Sequence, residues 1–504
     1  MSYILCILSS FSLILSFPKA NLSILAFFAL IPWIYVITNE AALKKVFLKS
    51  FIVGIITNLG IMYWLIPMFR TGGLPVVLGI FFWFLLCIYL GTYFAVWGLL
   101  VYRLKHISHS LYFVLYCSAL WIVLEFIRNY LFTGFPWMLF GYSQWHNTTL
   151  IQICEYTGIY GISFLLVFIN TALFSCIKYF KTSKKLQSSV LTALFLIIIT
   201  TFTFGFLKLN NAQDVLSNSK KYSFTVLQGN IDQYKKFDVN YVEFIKKTYE
   251  QLVKKSSVYA HDVIIWPETS LPGLYNRDKY LTDWVKKLVQ ESNTKHIIGA
   301  FIADEGKFYN TAVFFDEDST ELDKYYKIHL VPFGEIFPLK DIIKKIIPAA
   351  GFLGGIYAGF ENGLFKFKDD FINVNICFEI IFPNEVREFV KRGSKVIVNI
   401  SNDAWYLDTS APWQHLVFSV FRAVENRKSV VRSANTGISA FIDPYGRITK
   451  KLGLFKTGIL NSDVYINNEL TFYTRYGDIL IYLSMLCVLI MLGYAIRISM
   501  KRFF

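Results

Sequence analysis

Charge is what this 504-residue chain has least of: 17% of its residues are Asp, Glu, Lys or Arg, against 55% hydrophobic and 18% aromatic, with a mean hydropathy of +0.45. That balance excludes an ordinary soluble globular protein and places the chain in a membrane. Cysteine is scarce too. Cys6, Cys87, Cys117, Cys154, Cys176 and Cys487 lie in or beside apolar runs, where the residue acts as a small hydrophobe. With no Cys-x-x-Cys and no Cys/His ligand spacing, neither a disulfide framework nor a metal site is expected. Internal repeats and low-complexity tracts are missing as well.

What is there is a series of apolar runs, judged against the roughly 17 to 25 residues needed to cross a bilayer. They fall at 2–17, 22–37, 47–69, 74–102, 111–127, 156–177, 188–207 and 479–496. Seven spans are therefore expected before a long polar region and one after it. The first run lacks a basic leading segment and passes through Pro18-Lys19-Ala20 into another apolar run, so it reads as a retained span rather than a signal peptide. Loop charges set the orientation, since Lys and Arg stay on the cytoplasmic side. One set of connections holds Lys44, Lys45, Lys49, Arg103, Lys105, Lys178, Lys181, Lys184, Lys185, Arg497, Lys501 and Arg502; the other holds only Lys19, Arg70 and Arg128. Both termini are thus expected in the cytoplasm, with the polar region opposite. The expected domains are 1–210 (seven transmembrane helices), 211–477 (the polar domain) and 478–504 (a last helix and tail). The net charge of +15 follows partly from this asymmetry and needs no nucleic acid; attraction to anionic lipid headgroups is the milder reading.

The polar region reads as one α/β domain. Strand patterns at 223–231, 262–267, 296–302, 311–315, 371–376, 395–400 and 438–442 alternate with helical periodicity at 241–256, 280–291, 384–392 and 412–432. Runs such as Val263-Ile-Ile-Trp266 are apolar without alternation, as expected when both faces of a sheet are covered.

Three segments carry candidate chemistry. Trp266-Pro-Glu-Thr-Ser270 puts Glu268 just after a buried strand, where the flanking Trp and Pro are expected to desolvate it and raise its pKa toward that of a useful base. Tyr326-Lys-Ile-His-Leu-Val-Pro-Phe-Gly-Glu335 offers Lys327 as a fixed positive charge for a developing oxyanion, with Glu335 to orient it. His329 is the alternative base in that segment, although a lone His beside Leu330 and Val331 is more often structural. Asn373-Val-Asn-Ile-Cys-Phe-Glu379 holds Cys377, the sole cysteine between about 211 and 478, as candidate nucleophile. Taken singly, each also has a bland reading: a loop carboxylate, a surface lysine, a buried strand cysteine.

Trp-Pro-Glu, then Tyr-Lys-x-His-Leu-Val-Pro-Phe-Gly-Glu, then Cys-Phe-Glu, in that order, resembles the Glu-Lys-Cys triad of the nitrilase superfamily. With seven spans before and one after, the chain is similar to the apolipoprotein N-acyltransferase family. The likeness includes Gly134-Phe-Pro-Trp137, Gly141-Tyr-Ser-Gln144, Gly158-Ile-Tyr-Gly-Ile-Ser163, Gln228-Gly-Asn230 and Tyr473-Thr-Arg-Tyr-Gly-Asp478. The resemblance implies a multi-pass helical membrane domain plus a nitrilase-like αββα sandwich outside the cytoplasm, in the inner membrane of a bacterium. It further implies a monomer, working without metal or cofactor, that moves an acyl chain from a phospholipid through a Cys377 thioester to the diacylglyceryl-cysteine of an apolipoprotein. Glu268 would be the base, Lys327 the oxyanion stabiliser, and Glu335 and Glu379 supporting carboxylates. Phe237 and Phe378 stand where the family usually carries Trp and Tyr, keeping an aromatic face toward substrate but losing a donor. The uncharged 346–360 segment, with its four glycines, reads as a lid touching the bilayer.

The alternative enzyme is a membrane-anchored amidase or nitrilase hydrolysing a small amide. A transporter or receptor ranks last, because paired intramembrane charges or repeated spans would be expected and Glu125 with Arg128 is the nearest approach.

Overall fold

A computed structural model describes residues 1–179, 184–236, 238–332, 334–336, 355–360 and 363–501. Phe237 and most of the expected lid lie outside them. The chain divides into two compact units: Met1–Asn211 with Thr409–Val417 and Tyr476–Phe504, and Ala212–Asp408 with Phe418–Arg475.

Among the described residues, five helices are long and apolar enough to cross a membrane: Val76–Arg103, Leu111–Tyr130, Ile159–Tyr179, Ser188–Ser217 and Ile479–Ile498. A sixth span results if Leu43–Ile61 and Leu65–Thr71, bent by 50°, act together. The two apolar runs nearest the N-terminus form the helices Ser2–Ser16 and Ser23–Asn39, shorter than the five above. At 1.5 Å per residue the first reaches about 22 Å, short of the ~30 Å hydrocarbon core. Two buried amide side chains in the first unit are tied down by several hydrogen bonds each, as a dry interior favours. Asn170 accepts from the Leu30 N–H (2.8 Å) and donates to the carbonyls of Ala26 and Leu166 (2.8 Å each). Gln414 Oε1 accepts from the indoles of Trp64 (3.0 Å) and Trp137 (2.8 Å), while its Nε2 donates to the carbonyl of Ile61 (3.2 Å).

The second unit holds twelve strands among its described residues: β1 Lys221–Gln228, β2 Val263–Ile265, β3 Lys295–Asp304, β4 Lys307–Phe315, β5 Glu321–Tyr326, β6 Leu364–Phe367, β7 Asp370–Ile376, β8 Ser394–Ser401, β9 Ser429–Ala434, β10 Ser439–Ile442, β11 Ile448–Leu452 and β12 Gly458–Tyr465. They form two six-stranded sheets, ordered β12-β1-β2-β3-β4-β5 and β11-β10-β9-β8-β7-β6. At the centre of each, three strands run parallel: β1, β2 and β3 in one, β7, β8 and β9 in the other. One apolar cluster takes Phe224, Val226 and Phe314 from the first sheet and Ile372, Val398 and Val431 from the second, so the sheets face each other across it. Helices Val242–Ser256 and Lys279–Ser292 cover the outer face of the first sheet through Tyr249, Trp284 and Val285, and helix Pro383–Lys391 packs against β7 and β8. The layers are therefore helix, sheet, sheet, helix.

Every strand expected from sequence is present, but β5, β6, β9, β11 and β12 were not anticipated. The expected 412–432 helix is the clearest departure. It runs Ala411–Asn426, Arg427 turns left-handed at φ +50°, and the chain re-enters the second sheet as β9. Helical periodicity carries on past a boundary that neither Gly nor Pro marks, while the β-branched pair Val430 and Val431 packs better in a strand.

Candidate active site

Parallel strands deliver their C-terminal ends to one place, and the site grows from those ends. After β2 the backbone of Trp266 still pairs with β3, its N–H donating to the carbonyl of Ile297 (2.8 Å). The chain then turns sharply, with Thr269 at φ +45°. Gly299 on β3 makes this possible, since a Cβ there would lie 2.3 Å from the Pro267 carbonyl oxygen and 2.7 Å from the Glu268 Cα. Glu268 is buried at 6% exposure. Its Oε1 accepts from Asn310 Nδ2 (2.7 Å), and its Oε2 accepts from the Asn402 N–H beyond β8 (2.7 Å).

The carboxylate therefore sits among polar partners, and the expected desolvation by Trp266 is corrected. Successive side chains leave a strand on opposite faces, so Trp266 stacks on Tyr249 in the helical layer (centroids 4.6 Å apart) and hydrogen-bonds His296 (2.9 Å).

Lys327 follows β5 and is 1% exposed. Its Nζ lies 2.8 Å from the carboxylate of Glu335 and 3.5 Å from Glu268 Oε1. Burial opposes its charge, but Glu335, then Glu268 and Cys377, outweigh that cost and hold its pKa above the ordinary lysine value. Glu335 is fixed in turn by the Val331 N–H (2.9 Å) and by Asn310 Nδ2 (3.0 Å), so one asparagine amide spans both carboxylates. The close pass of Gly359, whose N–H donates to the Lys327 carbonyl (2.8 Å), also needs a glycine: a Cβ would come within 2.5 Å of the Tyr326 carbonyl oxygen.

Cys377 ends β7 in the left-handed region at φ +53°, a conformation that costs a non-glycine residue of order 1–3 kcal/mol and is held by its surroundings. Glu379 supplies part of that hold. One carboxylate oxygen accepts from Tyr325 Oη (2.8 Å) and the N–H groups of Ile328 (2.7 Å) and His329 (3.2 Å); the other accepts from the Ile376 N–H (2.6 Å). Burial pushes Glu379 up to about 7, with the Ile376 N–H and the Lys327 charge pulling it down. Glu379 thus braces the Cys377 turn against the Lys327 loop. Burial, then the Glu268 carboxylate, push the Cys377 thiol well up, offset in part by Lys327 and by a hydrogen bond with Ser401. The resting sulfur is therefore a thiol.

Phe378 is buried edge-on to Phe382 (5.3 Å) and His329 (5.8 Å). His329 hydrogen-bonds Glu385 through Nδ1 (2.8 Å) and stacks on Phe382, which gives it a structural post. The structure thus gathers Glu268, Lys327, Glu335, Cys377 and Glu379. Among the described residues, no group of three or more His, Cys, Asp or Glu is arranged to hold a metal.

The sequence is matched over residues 9–172 by the apolipoprotein N-acyltransferase N-terminal domain model and over residues 226–468 by the carbon-nitrogen hydrolase model. It is 34% identical over 485 residues to the apolipoprotein N-acyltransferase of Geobacter metallireducens, covering 95% of this chain and 92% of the relative. The chain belongs to the apolipoprotein N-acyltransferase family. A further member, from Haemophilus ducreyi, is 31% identical over 499 residues, or 94% of this chain and 95% of its own. Among solved structures, the NitN amidase from Neterenkonia sp. AN1 aligns with 51% of this chain and 96% of itself, at 15% identity and TM-score 0.39.

This acyltransferase is a membrane protein carrying a nitrilase-like α/β domain. Around its candidate triad stand residues that sequence reasoning missed. Asn310 and Tyr325 hold carboxylates; Ser401 meets the thiol and also donates to Asp403 (2.8 Å), which pairs with the buried Arg432 (2.8 Å). Lys236 lies buried beside Glu268. No sequence signal marked Asn310, Tyr325 or Lys236.

Proposed function

We propose that this acyltransferase transfers a fatty acyl chain from a membrane phospholipid to the α-amino group of an apolipoprotein's diacylglyceryl-cysteine. The observation that carries the reading is one buried ammonium, Lys327, set between Glu335 at 2.8 Å and Glu268 at 3.5 Å, with the Cys377 thiol in the field of both Glu268 and Lys327.

Glu268 takes the thiol proton as sulfur attacks the ester carbonyl, a general-base contribution of about 10²–10⁴-fold. The oxyanion forms beside the Lys327 ammonium, which is charged before substrate arrives and needs no reorganisation. Collapse breaks the ester C–O bond. The proton held by Glu268 passes to the departing lysophospholipid alkoxide, leaving a Cys377 thioester. The acceptor amine then attacks the thioester, Glu268 takes its proton, the C–S bond breaks, and the proton returns to sulfur. Glu335 keeps Lys327 aimed throughout, and Glu379 keeps the Cys377 turn.

The domain division at 1–210, 211–477 and 478–504 and a monomer belong to the same proposal, as do a periplasmic catalytic domain and cytoplasmic termini, which the loop-charge asymmetry of the sequence supports.

Intact-mass analysis after incubation with phospholipid tests the chemistry. The native chain should gain one acyl mass and release lysophospholipid, and Cys377→Ala should gain nothing. An acyl gain that survives the substitution excludes Cys377, and turnover of a small amide without lysophospholipid would favour the amidase.

A further inference from the structure

We propose that Lys236 is a positioning residue for the general base, working as a neutral amine whose protonation releases the tie. The inference rests on the reading of Glu268 as that base. Lys236 is 2% exposed, on the turn between β1 and helix Val242–Ser256. Its Nζ makes two contacts, to the Glu268 carbonyl oxygen (3.0 Å) and to Thr269 Oγ1 (2.5 Å). Both acceptors belong to the strained turn, Thr269 at φ +45°, that aims the carboxylate.

The count of donors matches the neutral form. A lysine ammonium has three N–H donors, a neutral amine two, and two acceptors are present. Among the described residues Lys236 has no ion pair within 4 Å, unlike Lys327. The charged or titratable groups it faces are Glu268 and Cys377; on its own turn, Lys235 lies instead over the Tyr241 ring (5.1 Å). Burial lowers its pKa to about 7, against the pull of Glu268 and Cys377. A second tether holds the same turn: Gln233 Oε1 accepts from the Asn402 side chain (2.8 Å), and the Asn402 backbone N–H grips Glu268 Oε2 (2.7 Å).

As pH falls through about 7 the amine gains a third donor with no acceptor, and hydrating it draws the side chain off the turn. The rate of thioester formation should fall with it. The test uses full-length protein in mixed micelles of detergent and dipalmitoyl phosphatidylethanolamine, following lysophospholipid release in a single turnover from pH 5.5 to 9. Wild type should lose roughly 10-fold per pH unit below its inflection. Lys236→Gln, which offers two N–H donors and does not titrate, should lose that limb while staying within about 10-fold of wild type at pH 8. Lys236→Arg, charged throughout, should stay at least about 10-fold slow even at pH 8.

A wild-type profile without an inflection between pH 6 and 8 overturns the proposal, whatever the variants do. So does a limb that persists in Lys236→Gln, which would assign it to Glu379, or full rescue by Lys236→Arg. Glu268→Gln separates the two readings: activity that survives it removes Glu268 as base, while the inflection still reports on Lys236.

Discussion

Lys327 and Lys236 show how two residues of one type, both buried within reach of one glutamate, take opposite charge states. Lys327 has two carboxylates within 3.5 Å and stays cationic; Lys236 has a carbonyl and a hydroxyl and is driven toward neutrality. Glu335 sets the difference. Glu335→Gln keeps a polar side chain but removes the nearer anion, so Lys327 should close on Glu268 and take the base out of service. Single-turnover thioester formation should drop about 10²–10³-fold, with a lower Tm and Cys377 still present by mass. An unchanged rate would show that Glu335 only fills space. Sequence made Glu335 visible as a carboxylate eight residues beyond the lysine. Its partner Asn310 was not visible, because one hydrogen-bonding amide in an otherwise apolar strand carries no periodic signal.

At the scale of elements, the site depends on how closely β3 passes under the end of β2. Gly299→Ala places a methyl 2.3 Å from the Pro267 carbonyl oxygen and 2.7 Å from the Glu268 Cα. Both are backbone atoms that cannot swing aside, so overpacking should cost about 1–3 kcal/mol. Glu268, the proposed base, is pushed off line, and a shift near 1 Å should cost about 10²-fold in rate. Gly453→Ala, with open space around its Cβ position, is the matched control and should behave as wild type; equal loss in both would discard the close-approach argument. Buried parallel strands such as β2 and β8 were legible as short apolar runs. The edge strands β5, β6, β11 and β12 were not, since residues like Asp323 and Lys450 face solvent and dilute the pattern. β9 was lost because the helix before it shares its apolar spacing without a break.

For the whole molecule, the apolar runs foretold a membrane protein, yet run length alone did not say which helices reach across. Ser2–Ser16 stops at 15 residues, and Leu43–Ile61 bends before Leu65–Thr71. The proposed orientation has a direct test. Alkaline phosphatase joined after Arg103 or at the C-terminal tail should be inactive, and joined near Asp318 it should be active. Activity at the tail would reverse the topology while leaving the catalytic reading intact.

The raised thiol pKa has a consequence beyond rate. Attack on a cysteine by peroxide and other oxidants follows its thiolate fraction and its accessibility, and Cys377 withholds both, protonated and 7% exposed. On the proposed mechanism the sulfur becomes reactive once substrate and Glu268 act on it together, so the idle enzyme should resist sulfenic acid formation through the same burial that holds its thiol protonated.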